Sequence, residues 1–478
     1  MIRAAAILVA VAVPALAGPL TPPSGPVVPT PGPEPRTPIS LATTPGDADS
    51  VFRITQPGSY YLTADVIGAP GKHGIEISAS GDVTIDLNGF RVAGGPGSLR
   101  GITTTGGVSN GRIAIRNGAV AHWLSGGIVT ADQDRSTLID SVTVHDNSGN
   151  GIDVGPASVV TRCIAKANGG TGIRVEESSA ISECVSSTNG AGFVLGVAST
   201  ATNCSALANS QAGFSASGFG TVYESCAARQ NGGRGFEGNS AVYTACVATA
   251  NQGGGFSVGT DSVVTGCQAR DNNGIGFLAS EGSSLAHCVA RSNGTGFQFS
   301  QGVTADHCTA LHNSGHGVNA NAAGCVLTAC TARANGGSGF FGTHSVFTTC
   351  VARENTLAGF DAGSGCIVTG CIAQGNNADG IRVIEHSVVL NNVSQLNGVG
   401  FSADAAGIHA LGENNRIEGN TCTGNDRGIH TDDSSNIIVR NNVHGANPFV
   451  LTGGQAIGPM ITGPNTITST NPWANFNF

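Results

Sequence analysis

Three residues near the end of the chain that can carry positive charge or transfer a proton each follow a Gly-Ile pair, and carboxylates stand three or four positions after two of these isoleucines. The candidate catalytic residues are Arg382, Glu385, His409, His430, Asp432 and Asp433. Arginine, histidine and carboxylate together can abstract the proton beside a uronate carboxylate, and paired carboxylates can hydrolyse a glycosidic bond. The set predicts either the active site of a carbohydrate-active enzyme or a polar outer face without catalysis.

A second set of cations recurs three positions after regularly spaced cysteines. Its members are Lys166, Arg229, Arg270, Arg291, Arg333 and Arg353. A row of cations at a regular spacing predicts ligand binding to an anionic polysaccharide, because arginine can hold carboxylate or sulfate through two hydrogen bonds. Asp271 and Glu354 stand beside two of the arginines, so a solubilising face is the alternative.

Two histidines, His287 and His307, immediately precede cysteines of the same series, with Asp306 and His312 nearby. Two stacked imidazoles could bind a metal ion, but side chains at a bend are expected to diverge, so we interpret these as surface histidines. The sequence also has no Cys-x-x-Cys pair. We therefore expect no metal and no cofactor.

A repeat must position all of these residues. Eleven cysteines from Cys163 to Cys371 recur every 20 to 22 residues, and an asparagine follows each by five positions. Gly followed by Ile, Phe or Val keeps the same period, as at Phe256 and Phe277. Each repeat holds short β-prone runs separated by Gly, Asn and Ser, without a helical apolar period. The pattern predicts an all-β solenoid of about 16 coils, mostly of 20–22 residues, whose strands stack in parallel about 4.8 Å apart.

The repeated positions are interpreted as architectural. Cysteine and the alanine two residues later are small enough to face a narrow interior, with Ile and Phe on the opposite wall. Because in-register thiols point the same way, we expect a buried, mostly reduced ladder instead of disulfides. We also expect the asparagines to adopt the left-handed conformation at a bend and to hydrogen-bond from coil to coil.

This arrangement resembles the right-handed parallel β-helix repeat family, the pectate-lyase-like solenoids. The resemblance covers residues 58–450, including VTIDLNGF at 83–90 and GIHTDDSSNIIVRNN at 428–442. It implies a right-handed, single-stranded parallel β-helix. Family members include polysaccharide lyases and hydrolases, adhesins and accessory proteins, so the resemblance leaves the function open. The family's hydrolase motifs, a spaced run of Asp followed by Gly-His-Gly and Arg-x-Lys, are not matched.

The two ends of the sequence differ from the repeat. A short apolar run after one cation, followed by small residues, predicts a signal peptide cleaved after Ala17. A proline-rich stretch predicts an extended linker, and the final NPWANFNF predicts a cap over the last coil. The expected organisation is signal peptide 1–17, linker 18–38, β-helix 39–450 and cap 451–478.

Composition limits the partners. The formal net charge is −9 and no run of Lys or Arg occurs, which argues against nucleic acid. No segment after the signal peptide reaches the roughly 18 apolar residues of a membrane span. We expect a bacterial protein, secreted, periplasmic or on the cell surface, that serves as a scaffold and binds polysaccharide or a cell-surface glycan. The alternative is a lyase or hydrolase of an acidic polysaccharide, and the ligand and the oligomeric state stay open.

Overall fold

Short runs of β-branched residues, each ended by Gly, Asn or Ser, form strands of mostly three to five residues. The computed structural model describes residues 36–105, 111–130, 136–399, 405–463 and 469–477, and these contain strands, turns and bends but no helix. The predicted signal peptide, most of the predicted linker and Phe478 lie outside the described residues. The described ranges contain no helix that is long and apolar enough to cross a membrane.

One face of the coil is a parallel sheet of nineteen described strands, one from each turn, which we call the first sheet. Its strands are Ser50–Ile54, His73–Ile77, Arg100–Thr104, Gly126–Val129, Asn150–Val154, Thr171–Val175, Ala191–Leu195, Phe214–Ala216, Phe236–Gly238, Phe256–Val258, Phe277–Ala279, Phe297–Phe299, Val318–Ala320, Phe340–Gly342, Phe360–Ala362, Ile381–Val383, Ala406–Ala410, Arg427–Thr431 and Phe449–Leu451.

The remaining 38 described strands form a second parallel sheet that bends into two faces. The face that follows the first sheet along the chain contains Thr37–Pro38, Gly58–Tyr61, Val83–Asp86, Val159–Thr161, Ala180–Ser182, Thr200–Thr202, Val222–Glu224, Val242–Thr244, Val263–Thr265, Ser284–Ala286, Thr304–Asp306, Val326–Thr328, Val346–Thr348, Ile367–Thr369, Val388–Leu390, Arg416–Glu418, Ile437–Val439 and Ala456–Ile457. The other face contains Val66–Ile67, Arg91–Ala93, Ile164–Lys166, Val185–Ser187, Ser205–Leu207, Ala227–Arg229, Val247–Thr249, Gln268–Arg270, Val289–Arg291, Thr309–Leu311, Thr331–Arg333, Val351–Arg353, Ile372–Gln374, Val393–Gln395, Thr421–Thr423, Asn442–His444, Met460–Thr462 and Asn475–Asn477. The strands Ile113–Ala121 and Thr137–His145 run through both faces.

Each strand pairs with the strand one turn further along the chain, so each repeat position forms a column. Phe256 pairs with Phe277, and Arg270 pairs with Arg291. This register confirms the predicted parallel β-helix. The structure has about nineteen turns where the sequence predicted about 16. That count included the wider turns at Ile75, Ile102 and Ile128 but not the turn of Ser50–Ile54, which lies before them.

The interior is filled by columns of unequal size. Phenylalanines of the first sheet, such as Phe236, Phe256 and Phe277, stack with ring centroids 4.7–4.8 Å apart. The opposite wall holds the small cysteine and alanine columns, and all fourteen cysteines are buried and form no disulfide. Large residues on one wall and small ones on the other fill the narrow coil, as the sequence predicted.

A column of buried asparagines runs through the turns from Asn147 onward. The side chain of Asn251 donates to Asn272 Oδ1 at 3.0 Å, and Asn272 donates to Asn293 Oδ1 at 2.9 Å. The predicted ladder is confirmed, but the left-handed residue is the one before the asparagine, as at Ala250 (φ 55°) and Asp271 (φ 53°). The asparagine amide must face inward to reach the next turn, so the preceding, outward-facing residue makes the bend.

Candidate functional site

Five titratable or charged residues meet on the outer surface of the first sheet, and we call them the His409 cluster: Asp379, His409, Arg427, His430 and Asp432. Side chains alternate along a strand, so the residue after each inward isoleucine faces outward. The parallel register then places His409 directly beside His430 in the next turn. Asp379 precedes the strand Ile381–Val383, and Asp432 follows Arg427–Thr431.

His409 lies between two carboxylates and is 8% exposed. Its Nδ1 is 3.2 Å from Asp379 Oδ2, and its Nε2 is 3.2 Å from Asp432 Oδ2. Asp379 is itself buried, and its other oxygen accepts a hydrogen bond of 2.7 Å from the backbone N–H of Ala406. Asp379 therefore holds the His409 ring in a fixed orientation from the inner side of the cluster.

His430 shares the Asp432 carboxylate with His409. The two imidazole rings are stacked with centroids 4.4 Å apart, and His430 Nε2 is 3.1 Å from Asp432 Oδ1. Arg427 Nη1 lies 3.1 and 3.3 Å from the two ring nitrogens of His430. The Asp432 side chain is 45% exposed, so the side of the cluster that it occupies is open to solvent.

The two stacked histidines differ in their affinity for a proton. Burial opposes protonation of His409, but the hydrogen bonds and charges of Asp379 and Asp432 outweigh it and raise the pKa of His409 above its ordinary value. Burial, together with the positive charges of His409 and Arg427, lowers the pKa of His430. A protonated and a neutral imidazole therefore lie side by side at pH values between the two pKa values, an arrangement suited to general acid–base chemistry.

Arg382 lies one turn before His409 in the same outward column. Its Nε donates to Asp361 Oδ1 at 2.9 Å, and Asp361 occupies the preceding turn of that column. Sequence reasoning missed Asp361, Asp379 and Arg427. Asp361 could have been found because it follows a Gly-Phe pair just as Arg382 follows Gly-Ile.

Two predicted candidates lie apart from the His409 cluster. Glu385 Oε1 is 3.5 Å from the Ser364 hydroxyl, and its other oxygen is 3.8 Å from His386. Asp433 accepts a hydrogen bond of 2.7 Å from the backbone N–H of Ser434. Of the six predicted residues, the structure joins His409, His430 and Asp432, and it places Arg382 one turn away.

The second predicted set forms a basic row on the outer side of the second sheet. Its six members each occupy the last position of a strand and are exposed: Lys166, Arg229, Arg270, Arg291, Arg333 and Arg353. Arg270 and Arg291 are direct neighbours in adjacent strands, and so are Arg333 and Arg353. Arg333 Nε is 2.9 Å from Glu354 Oε2, whereas Arg291 and Arg353 form no ion pair with any described residue.

The histidines before the ladder cysteines are exposed, as predicted. His287 and His307 adopt left-handed conformations with φ of 54° and 49°. Their rings do not diverge: both occupy the same bend of adjacent turns, and their centroids are 5.2 Å apart. Asp306 Oδ2 lies 2.9 Å from the Nδ1 of His307.

Two groups of side chains in the described part of the chain have the composition of a divalent metal site. His409, His430 and Asp432 offer three ligand atoms that all lie within 4.8 Å of one another. His122, His145 and Asp146 do the same, but His122 and Asp146 are exposed. Imidazole nitrogen and carboxylate oxygen are ligands for zinc and neighbouring transition metals.

Comparison with known proteins gives a family and a fold. The family model of the right-handed beta helix region matches residues 63–201 and 189–360. Solved structures that are similar to this chain include a mannuronan C-5 epimerase A-module of Azotobacter vinelandii, which is 16% identical and covers 76% of this chain and 90% of that chain (TM-score 0.28). Another is tailspike protein 3 of bacteriophage CBA120, 11% identical over 85% of this chain and 55% of that chain (TM-score 0.26). No curated protein sequence matches this chain.

Proposed function

This chain belongs to the right-handed β-helix family, and we propose that it is an exported scaffold that binds an acidic polysaccharide along its basic row. The observation that carries the proposal is the register of the second sheet. It places Arg270 beside Arg291 and Arg333 beside Arg353, all exposed and at the spacing of successive strands. A linear polymer with repeated carboxylate or sulfate groups can contact such a row at several turns, and guanidinium groups can hold these anions through paired hydrogen bonds.

The surroundings of the basic row modulate this binding. Glu354 neutralises Arg333 in part, whereas Arg291 and Arg353 have no ionic partner among the described residues. The whole chain is acidic, with a formal net charge of −9, so attraction of a polyanion depends on the local row and not on the overall charge. Binding should therefore weaken steeply with added salt.

Replacing Arg270, Arg291, Arg333 and Arg353 with Gln tests the proposal. Each exposed contact contributes about 0.2–1 kcal/mol, so the fourfold variant should bind an acidic polysaccharide about fourfold to several hundredfold more weakly, with a flatter salt dependence. The measurement is titration calorimetry against a panel of uronate-containing, sulfated and neutral polysaccharides at several salt concentrations.

The matched control makes the same Arg→Gln change at four arginines outside the basic row: Arg91, Arg100, Arg112 and Arg234. This variant has the same net charge as the first, so a general charge effect would weaken binding equally in both. Equal affinities of the two variants, or binding only to neutral polysaccharides, would contradict the proposal.

Export is part of the same proposal, since a binding scaffold for extracellular glycans must leave the cytoplasm. The support is the apolar run in residues 4–13, followed by alanines at the positions expected for cleavage after Ala17. The intact mass of protein recovered from outside the cytoplasm should correspond to a chain that begins at Gly18. Recovery of the full-length chain in the cytoplasm alone would contradict export.

The His409 cluster favours a second candidate, an enzyme acting on the same kind of polymer. Its histidines differ in proton affinity, share Asp432, and lie one turn from the Arg382 guanidinium. In a lyase, one imidazole would remove the proton beside a uronate carboxylate while the arginine balances the negative charge. Depolymerisation by the wild type that disappears in His430→Ala and Asp432→Asn, but persists in the fourfold basic-row variant, would establish this candidate. An absence of products from every polysaccharide in the panel would exclude it.

A further inference from the structure

The geometry points to a divalent transition-metal site, of the kind that binds zinc, formed by His409, His430 and Asp432. The site lies on the first sheet, away from the basic row, and the inference does not depend on the proposed function. The inference also differs from the sequence analysis, which predicted no metal site.

The distances between the ligand atoms fit one small ion. Zinc binds imidazole nitrogen and carboxylate oxygen at about 2.0–2.2 Å, so neighbouring ligand atoms of a tetrahedral site lie about 3.3 Å apart. The two oxygens of the Asp432 carboxylate face different histidines: Oδ2 is 3.2 Å from His409 Nε2, and Oδ1 is 3.1 Å from His430 Nε2. Each imidazole is therefore at the spacing of a neighbouring ligand from the same carboxylate. The three ligand atoms all lie within 4.8 Å of one another.

A second carboxylate orients the first histidine as a metal ligand. Ligating histidines usually donate their other ring N–H to a carboxylate, which fixes the tautomer and the ring plane. Asp379 Oδ2 occupies this position, 3.2 Å from His409 Nδ1, and the backbone N–H of Ala406 anchors Asp379. With Nδ1 facing Asp379, the other ring nitrogen, Nε2, faces Asp432. The metal ion would take the place of the proton between His409 Nε2 and Asp432, which is released on binding.

The charges of the cluster suit a divalent cation. Asp379 and Asp432 contribute two negative charges. Arg427 contributes one positive charge, and its Nη1 lies 3.3 Å from His430 Nε2, so the guanidinium would have to move aside when a metal ion binds there. Three protein ligands leave a coordination position on the side where Asp432 is 45% exposed. A structural zinc site has four protein ligands, whereas three ligands and an open position are typical of sites that also bind water or substrate.

The experiment is zinc titration calorimetry on chelator-treated full-length protein. It is made in a His145→Ala background, because His122, His145 and Asp146 could bind a second ion. We expect one zinc ion per chain, bound in the micromolar range or tighter. Replacing the orienting carboxylate, Asp379→Asn, should weaken binding about 10- to 100-fold. His409→Ala and Asp432→Asn should weaken it further, since each removes a ligand.

His386→Ala is the matched control, because His386 is an exposed histidine in the adjoining turn and should not change the zinc affinity. Arg427→Gln removes a cation beside His430 and should strengthen binding. Asp432→Asn is a nearly isosteric change at an exposed residue, so this variant tests the site even if a histidine variant folds poorly. Circular dichroism checks that each variant is folded. Failure of the His145→Ala protein to bind zinc, or equal affinity in Asp432→Asn and His386→Ala, would overturn the site.

Discussion

Among single residues, each buried asparagine of the ladder forms several hydrogen bonds. Asn272 Oδ1 accepts from both the backbone N–H and the side chain of Asn251, each at 3.0 Å. Its Nδ2 donates to Asn293 Oδ1 at 2.9 Å and to the Ala248 carbonyl at 3.2 Å. Buried polar groups without a partner are costly, so one amide stabilises groups in three turns.

Substitution of Asn272 should therefore destabilise the protein much more than substitution of its neighbour. Asn272→Ala leaves buried donors and an acceptor unpaired, and we expect a loss of about 2 kcal/mol or more in the free energy of unfolding. Asn273 is exposed, and Asn273→Ala should change it by less than about 0.5 kcal/mol. Denaturant unfolding followed by circular dichroism measures both. Similar losses in the two variants would show that the ladder contributes little.

At the scale of elements, strands of three residues are too short to be stable alone, and the columns that cross them provide the cohesion. Phe256 stacks on Phe236 at 4.8 Å and on Phe277 at 4.7 Å, with nearly parallel rings. On the opposite wall, the thiol of Cys350 donates to the carbonyl of Leu327 in the preceding turn at 3.5 Å, and the backbone N–H of Cys350 donates to Cys371 Sγ in the next turn at 3.4 Å. Each column thus joins a strand to those in the turns on either side.

Truncation within the phenylalanine column should loosen the adjoining turns. Phe256→Ala removes a side chain that is 1% exposed and leaves a cavity, and such changes cost about 3–5 kcal/mol. Phe219→Ala is the control, because Phe219 is 62% exposed. Hydrogen exchange should accelerate in the turns that contain Phe236 and Phe277 in the first variant and not in the second. Exchange confined to the mutated turn would contradict coupling through the column.

The cysteine column should be unreactive in the folded protein. A thiol must be reached by the reagent before it can react, and the eleven cysteines of the column are at most 2% exposed. A thiol reagent should label few cysteines in the native protein and all fourteen after denaturation without reductant. Labelling of far fewer than fourteen in the denatured protein would reveal disulfides and contradict the packing of the column.

At the scale of the whole molecule, each turn contacts mainly the turn before and the turn after it. Such solenoids behave as one-dimensional arrays, in which stability is a sum of turns and of interfaces between neighbours. Among the described residues, the first and last turns therefore pair with a neighbouring turn on one side. At the C-terminal end, Asn475–Asn477 pairs with Asn442–His444, and the guanidinium of Arg440 lies 4.6 Å from the Trp473 ring centroid.

Removal of one complete turn should preserve the fold. Deletion of residues 268–288 joins Cys267 to Val289, and Val289 already occupies the column position of Gln268. The shortened protein should retain its β circular dichroism and a similar melting temperature. Deletion of residues 268–278 is the control, because it puts the columns out of register at the junction and should lower the melting temperature clearly. Equal behaviour of the two deletions would contradict the array description.

The period of the sequence was enough to predict the solenoid, because small, aromatic and amide residues recur at a spacing that places each kind in its own column when the chain coils. Cysteine, alanine and phenylalanine at constant spacing predicted which side chains face inward, and the asparagine spacing predicted the ladder. The outward basic row followed from the same period, since residues one repeat apart must become neighbours in a parallel register. The strand and turn preferences of the individual residues agree with the long-range repeat, so the fold could be predicted from the sequence.

Which outward-facing residues come into contact could not be read from the period and depends on the three-dimensional path of the chain. Asp379 reaches His409 from the segment before one strand, and Asp432 reaches both histidines from the segment after another. Glu385 and Asp433 have similar spacing in the sequence, yet they lie apart from the cluster, because the direction of a side chain in a bend depends on the backbone angles there. The left-handed residue before each asparagine was also decided at this level, since the amide can reach the next turn only if its neighbour makes the bend.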